Sequence, residues 1–169
     1  MVEIRELVEA DLPLLAATQG GPAWHGAWDQ WRTTYLVEHL NGSRLCLVAM
    51  EDGKAVGYGS LIWRPHYPPF AEAGVPEISD MVVAEDCRGL GIGSRLLAAF
   101  EARAKAAGRT TIGIGFALYA DYGRAQRLYV RRGYVPDGRG VAYAGELGVP
   151  GHTYRLDDDL VLFLTKPLA

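Results

Sequence analysis

Arg88-Gly89-Leu90-Gly91-Ile92-Gly93-Ser94 stands between an apolar run and a long helical pattern, and its reading decides the fold. Upstream, Glu77-Ile78-Ser79-Asp80-Met81-Val82-Val83-Ala84 is short, apolar and β-branched, which predicts a strand. Downstream, Leu96, Leu97, Phe100, Ala104 and Ala107 recur at helical spacing until Gly108, a stop signal. Gly89, Gly91 and Gly93 therefore occupy the turn into a helix and its first residues. Unpaired N–H groups and the positive end of the helix dipole meet there, which suits a phosphate-bearing ligand. Glycine lets main-chain amides approach such an anion with no Cβ in the way.

Three ligand readings compete for this turn. A P-loop closes on Gly-Lys-Ser/Thr, but Gly93 is followed by Ser94 and Arg95. A dinucleotide fingerprint wants a third glycine where Ser94 stands and an acid roughly 20 residues on, and the residues near Thr110 offer none. The third pattern, Arg/Gln-x-x-Gly-x-Gly/Ala after a strand, is met by Arg88, Gly91 and Gly93. Here the chain resembles the GNAT superfamily of acyl-CoA-dependent N-acyltransferases, whose pyrophosphate loop has that form. A second block supports the resemblance. Ala125, Leu128, Tyr129, Gly133 and Tyr134 look like the family's Asn-x-x-Ala-x-x-Leu-Tyr-x-x-x-Gly-Phe segment, and Thr110–Phe116 supplies the strand between the blocks. The likeness is strong over residues 76–136 and otherwise one of layout. One departure stands out: the family's asparagine falls on Tyr122, which puts any pantetheine contact of that residue in doubt.

The resemblance implies an α/β (α+β) fold with a central mixed, mostly antiparallel sheet of about seven strands flanked by about four helices. Length agrees. At 169 residues the chain is expected to be one GNAT-like domain spanning 1–169, and 49% hydrophobic residues are ample for a core. No apolar run approaches the roughly 18 residues that cross a bilayer. Met1–Leu7 alternates like a strand and lacks the apolar centre of a signal peptide, so a cytoplasmic protein without membrane partners is expected. A net charge of −3 argues against nucleic acid as the main partner. Cys46, inside Leu45-Cys46-Leu47-Val48, reads as a core residue, and Cys87 lies at the mouth of the turn. His25, His39, His66 and His152 lack metal-ligand spacing, so no metal is expected.

Along the chain, Asp11 is placed to cap a short helix, and 27–41 repeats Trp28, Trp31, Tyr35, Leu36 and Leu40 at helical spacing. Strands at 44–50 and 54–63 flank Glu51-Asp52-Gly53, a hairpin signal. Residues 64–76 carry too many prolines for a central strand and read as a long loop. A helix at 121–132 and a strand start at Tyr134-Val135 come next. Residues 137–158 read as a long glycine-bearing connection, a functional flap or flexible segment, before a closing strand at 160–165.

The resemblance implies acetyl transfer from acetyl-CoA to a primary amine through a ternary complex. The acceptor is expected to be a small molecule, with a peptide or protein amine as the alternative. A non-catalytic acyl-CoA sensor and a nucleotide-binding protein are the other readings. Glu77, beginning the strand before the loop, is the candidate base, and strand alternation groups it with Ser79, Met81 and Val83. It equally fits an exposed acid at a strand start, and Asp80 or water are the other bases open. Tyr129 matches the family's Leu-Tyr position and is the candidate acid for the leaving thiolate, against the reading of a core tyrosine bonded to a carbonyl. The main chain of Met81, Val82 and Val83 would hold pantetheine and the thioester oxygen. Arg88, with the amides of Gly89, Leu90, Gly91, Ile92, Gly93 and Ser94, would hold the pyrophosphate. Arg124, Arg127 and Arg131 fit either a 3′-phosphate or a solvated helix face. Trp24, Trp28, Trp31, Trp63, His66, Tyr67 and Phe70 are candidates for an aromatic acceptor cleft or for core, and Asp157-Asp158-Asp159 reads as an acidic turn. The sequence leaves a homodimer open.

Overall fold

Asp52 and Gly53 both take positive φ, 49° and 77°, the left-handed pair that closes a two-residue hairpin with the right twist. They join β2 (Arg44–Glu51) to β3 (Lys54–Ile62), as expected from the sequence. The structure, a computed structural model, describes residues 1–17 and 34–169. Within them the chain forms two compact units, Met1–Trp63 with Ile78–Arg103, and Arg64–Glu77 with Ala104–Ala169. Together they hold eight strands and five α-helices among the described residues. No helix among those residues is long and apolar enough to cross a membrane.

In the first unit β1 (Glu3–Glu6), β2, β3 and β4 (Glu77–Val83, its first residue excepted) lie in that order, with β1–β2 and β2–β3 antiparallel. β2 is buried along nearly its whole length, which explains its unbroken apolar run. One face packs Cys46, Val48, Met50, Ala55 and Tyr58 against Leu12 and Leu15 of α1 (Leu12–Ala17) and Leu36 of α2 (Leu36–Leu40). Cys46 is fully buried and its thiol is pushed up to about 12 by burial, as befits a core residue. α4 (Ile92–Ala106) buries Ile92, Leu96, Leu97 and Phe100. Its close approach needs glycines on β3: a Cβ at Gly59 would sit 3.0 Å from the Phe100 ring, and one at Gly57 would sit 3.3 Å from Ile92. Asp11 does not cap the first helix directly. It ends a 3-10 turn, Glu9–Asp11, where its buried carboxylate accepts the Val8 N–H and a forked pair of bonds from Arg5 at 2.7 and 2.6 Å.

In the second unit β5 (Thr111–Ala117), β8 (Leu160–Pro167), β6 (Val135–Tyr143) and β7 (Glu146–Leu147) lie in that order, with β5–β8, β8–β6 and β6–β7 antiparallel. Tyr67, Phe70, Val75, Ala142 and Phe163 form its core, Tyr67 stacked on Phe163 at 3.8 Å. Two expectations change here. The proline-rich stretch is not all loop: α3 (Pro68–Ala73) starts on prolines, whose fixed φ and missing N–H suit a first turn, and ends at left-handed Gly74. The 137–158 connection is shorter than expected, because β6 continues to Tyr143 and turns into β7. Gly138 and Gly140, at positive φ, mark a shift of register between Pro136 and Val141 within the strand. α5 (Gly123–Arg131) follows a 3-10 turn, Ala120–Tyr122. Trp24, His25, Trp28 and Trp31 lie outside the described residues.

Candidate active site

The site builds from β4 toward α4. Ile78 is buried, whereas Met81, Val82 and Val83 are only half-buried. Asp80 interrupts the strand with φ 53°, a left-handed conformation that aspartate tolerates better than most residues. The alternation assumed over 77–83 breaks there: Ser79 and Asp80, neighbours in sequence, have side chains in contact, with Ser79 Oγ donating to Asp80 Oδ2 at 3.2 Å. Glu77, Ser79, Met81 and Val83 do not therefore form one continuous face.

Past Ala84 a 3-10 turn, Glu85–Cys87, delivers Arg88 to the loop. Gly89 and Gly91 adopt φ of 86° and 82°, yet a Cβ at either would meet nothing within 4 Å. Glycine is needed there for backbone conformation, and the space outside stays open. Arg95 N–H makes the first helical bond of this end, to the Gly91 carbonyl at 3.1 Å. Among the described residues the N–H groups of Gly89, Leu90, Gly91, Ile92, Gly93 and Ser94 donate to no carbonyl of a turn, loop or cap. They form a row of donors at the positive end of a 15-residue helix. Arg88 is tethered beside them, Nε donating to the Val83 carbonyl at 3.2 Å and Nη1 lying 3.6 Å from Glu85. Cys87 is no activated nucleophile, since desolvation and Asp86 both raise its pKa.

The structure thus brings Met81, Val82, Val83 and the whole 88–94 turn together in the first unit. Glu77, half-buried, and Tyr129 fall in the second. Tyr129, on α5, is 5% exposed, with Phe116 and Tyr134 each 6.2 Å away between ring centroids. Burial pushes its phenol above the ordinary tyrosine range, and no described residue hydrogen-bonds its hydroxyl. Among the described residues no carbonyl satisfies it. Tyr122, in the family's asparagine position, donates to Asp158 Oδ1 at 2.9 Å, as does Tyr119. Arg124, Arg127 and Arg131 are exposed, and Arg131 Nε donates to the Arg127 carbonyl at 3.1 Å. Arg127 and Arg131 border an open hollow of about 700 Å³ with Gln126 and Val130. One group escaped the reading of the sequence altogether: Arg44, a buried charge opening an apolar strand, paired with Glu38 and Asp80. Its signal was a cation where the pattern of β2 wants an apolar residue.

A strand, a turn with two left-handed glycines and a long helix opening on a row of main-chain N–H groups define an α/β protein of recognisable class. The chain belongs to the acetyltransferase (GNAT) family, whose family model matches residues 2–134. Solved structures share the fold end to end. A protein described as a GNAT-family acetyltransferase from Desulfovibrio desulfuricans is 19% identical, with TM-score 0.76 and all of both chains covered. An N-acetyltransferase from Staphylococcus aureus is 21% identical at TM-score 0.73, covering 100% of this chain and 99% of that one. The acetyltransferase yncA of Salmonella typhimurium, solved with its cofactor acetyl-CoA, is 19% identical at TM-score 0.69, covering 100% and 95%. At these identities the likeness shows the fold alone. Among curated proteins no sequence match is found.

Proposed function

We propose that this chain is an acetyl-CoA-dependent N-acetyltransferase acting on the primary amine of a small molecule by direct attack in a ternary complex. The observation that carries the proposal is the 88–94 turn, with two left-handed glycines and a row of N–H groups at the head of a long helix. A diphosphate satisfies those donors and gains from the helix dipole, with Arg88 as a charged partner. The half-buried residues Met81, Val82 and Val83 run toward the same turn, and their main chain suits an amide-bearing arm. The relative solved with acetyl-CoA supports that ligand. The chain then works as one catalytic domain, which the end-to-end match to solved chains supports.

The chemistry follows from the groups assigned. A free alkylammonium with a pKa near about 10.4 must first lose a proton, which Glu77 takes directly or through water, with Asp80 or water alone as the alternative. The nitrogen lone pair attacks the thioester carbonyl carbon, and the N–H of Met81 or Val82 donates to the oxygen as its charge grows. The C–N bond forms, the C–S bond breaks, and the sulfur leaves as a thiolate. Tyr129 supplies the proton that thiolate takes. Its support is its place in the Leu128-Tyr129 segment and a buried, protonated phenol with no hydrogen-bond partner among the described residues. No metal enters these steps. A cytoplasmic setting goes with this reading, with neither membrane nor nucleic acid as partner and with a homodimer compatible.

The test is a panel of small amines and peptide N-termini incubated with acetyl-CoA and the full chain, following free thiol. The expected result is thiol release with a small amine, together with a product heavier by one acetyl group. Acetyl-CoA binding without thiol release across the panel would reduce the protein to a coenzyme-binding module. Binding of ATP or NAD in its place would overturn the reading.

A further inference from the structure

Arg44 has a side chain only 10% exposed, and one guanidinium there ties together several elements of the first unit. Nε donates to Glu38 Oε2 of α2 at 2.6 Å. Nη1 donates to Ser60 Oγ of β3 at 2.7 Å and to Asp80 Oδ2 of β4 at 3.3 Å. The guanidinium lies 4.2 Å above the ring centroid of Tyr35, whose phenol is pushed up by burial first, then by the charge and hydrogen bond of Asp80. Ser60 Oγ in turn donates to the Ser79 carbonyl at 3.4 Å, and Ser79 Oγ to Asp80 Oδ2 at 3.2 Å. Three of these contacts, from Arg44 Nη1, Ser79 Oγ and the Tyr35 phenol, meet on the carboxylate of the residue that leaves the extended conformation, Asp80 at φ 53°.

A non-glycine residue in that region persists only where its surroundings hold it. Here the hold on the carboxylate is one guanidinium nitrogen, a hydroxyl and a phenol, and the guanidinium is itself fixed by Glu38 and Ser60. Immediately downstream come Met81, Val82 and Val83, half-buried, and then the glycine turn. The conformation of residue 80 sets the direction in which the amides of the next residues point. We infer that Arg44 is a positioning residue for the coenzyme: by gripping Asp80 it fixes the left-handed turn in β4 that aims the main chain of Met81, Val82 and Val83. This inference rests on the proposed acetyl-CoA reading, which gives those three residues the pantetheine arm and the thioester. Arg44 itself touches no reacting atom.

The test separates a positioning role from a merely structural one by a double-mutant cycle with Asp80→Gly. Glycine takes positive φ without help, so the left-handed turn no longer needs the grip. Acetyl-CoA affinity of the full chain is read by calorimetry, and the Cα and carbonyl chemical shifts of residue 80 report its backbone. Arg44→Met is expected to weaken acetyl-CoA about tenfold and to move those shifts toward extended values. In the Asp80→Gly background the same change is expected to cost less than about twofold, a coupling that contacting residues show and independent ones do not. Should Arg44→Met fail to fold, Arg44→Lys carries the same comparison. Lysine keeps the charge but loses the planar fork that reaches Glu38, Ser60 and Asp80 together. An equal loss in both backgrounds, or unaltered affinity and shifts in the Arg44 variants, would overturn the inference while leaving the coenzyme reading intact. No acetyl-CoA binding by the unaltered chain would overturn that reading and this inference with it.

Discussion

Two single side chains show how the surroundings of a group move its hold on a proton, in opposite directions. Tyr129 carries a phenol whose charged form burial disfavours, so it remains protonated beyond the usual tyrosine range. An acid must hold its proton, and the raised pKa extends the pH range in which it does. Tyr129→Phe is therefore expected to lower kcat by about 10²-fold, the lower end for loss of general acid catalysis, with acetyl-CoA affinity by calorimetry nearly unchanged. The alkaline limb of kcat for the unaltered enzyme is expected above about pH 10, the ordinary phenol value. A variant with full turnover under conditions where chemistry is rate-limiting removes the tyrosine from the mechanism. Asp11 shows the opposite sign. The hydrogen bond from Arg5 first, and that from the Val8 N–H after it, hold its carboxyl below the ordinary value against the cost of burial. A depressed folded pKa contributes stability that is present above the unfolded value, near about 3.9, and lost as pH falls through the folded one. The difference in urea midpoint between the unaltered chain and Asp11→Ala is thus expected to be full at neutral pH and to shrink on acidification below about pH 4. A gap that stays constant to pH 2 would refute that assignment. Tyr129 was legible because a helical pattern and a family motif both fall on it. Arg44 was not, because nothing local in Asn41-Gly42-Ser43-Arg44-Leu45 announces partners on three other elements.

Elements were read best where a local rule decides them. The hairpin at Asp52-Gly53 and the end of α4 near Gly108 depend on backbone conformations that glycine permits, and both appear as expected, Gly108 at φ 75°. The glycine turn belongs to the same class, and it yields a sharp prediction. Gly91→Asp places a Cβ on a residue at φ 82° and a carboxylate beside donors meant for phosphate. Acetyl-CoA binding is expected to weaken by more than about tenfold, through strain and repulsion together, and an unaltered Kd would refute the cradle. Reading failed where one signal carries two meanings. Proline excludes a central strand, but Pro68-Pro69 also begins a helix, and only the packing of Phe70 at 2% exposure decides between loop and turn of helix. Glycine breaks a strand pattern, but in β6 it accommodates an offset in pairing with β8. Phe70 makes α3 testable. A Cβ on Gly113 of β5 would lie 2.1 Å from its ring. Gly113→Ala is expected to cost about 1–3 kcal/mol by overpacking, read as a fall in urea midpoint, with Phe70→Leu partly restoring it.

At the scale of the whole molecule, the fold was legible as an order of elements: strand, glycine turn, helix, strand, helix and closing strand follow one another as the family layout requires. The acceptor side was not legible, because aromatic residues that line a cleft and those that fill a core obey the same helical spacing. Tyr67 and Phe70 illustrate it, since both belong to the core of the second unit with Phe163. The proposed coenzyme recognition is different in kind, for it would rest on main-chain groups of one turn rather than on a cleft of side chains, and it can be measured without knowing the acceptor. A ligand that binds the folded chain and not the unfolded one adds about 2.7 kcal/mol to stability at 100 times its Kd. For a chain of this length each kcal/mol raises the melting midpoint by roughly 2–4 °C, so saturating acetyl-CoA is expected to raise Tm by about 5–11 °C. ATP and NAD, whose phosphate loops demand a lysine and a third glycine where Ser94 stands, are expected to leave it within about 1 °C at the same concentration. Free coenzyme A, which shares the diphosphate but lacks the thioester, is expected to give most of the acetyl-CoA shift. Were inorganic pyrophosphate, ATP and acetyl-CoA to raise Tm equally, the turn would be a general anion site, and the aim given to the thioester by Met81, Val82 and Val83 would have no support.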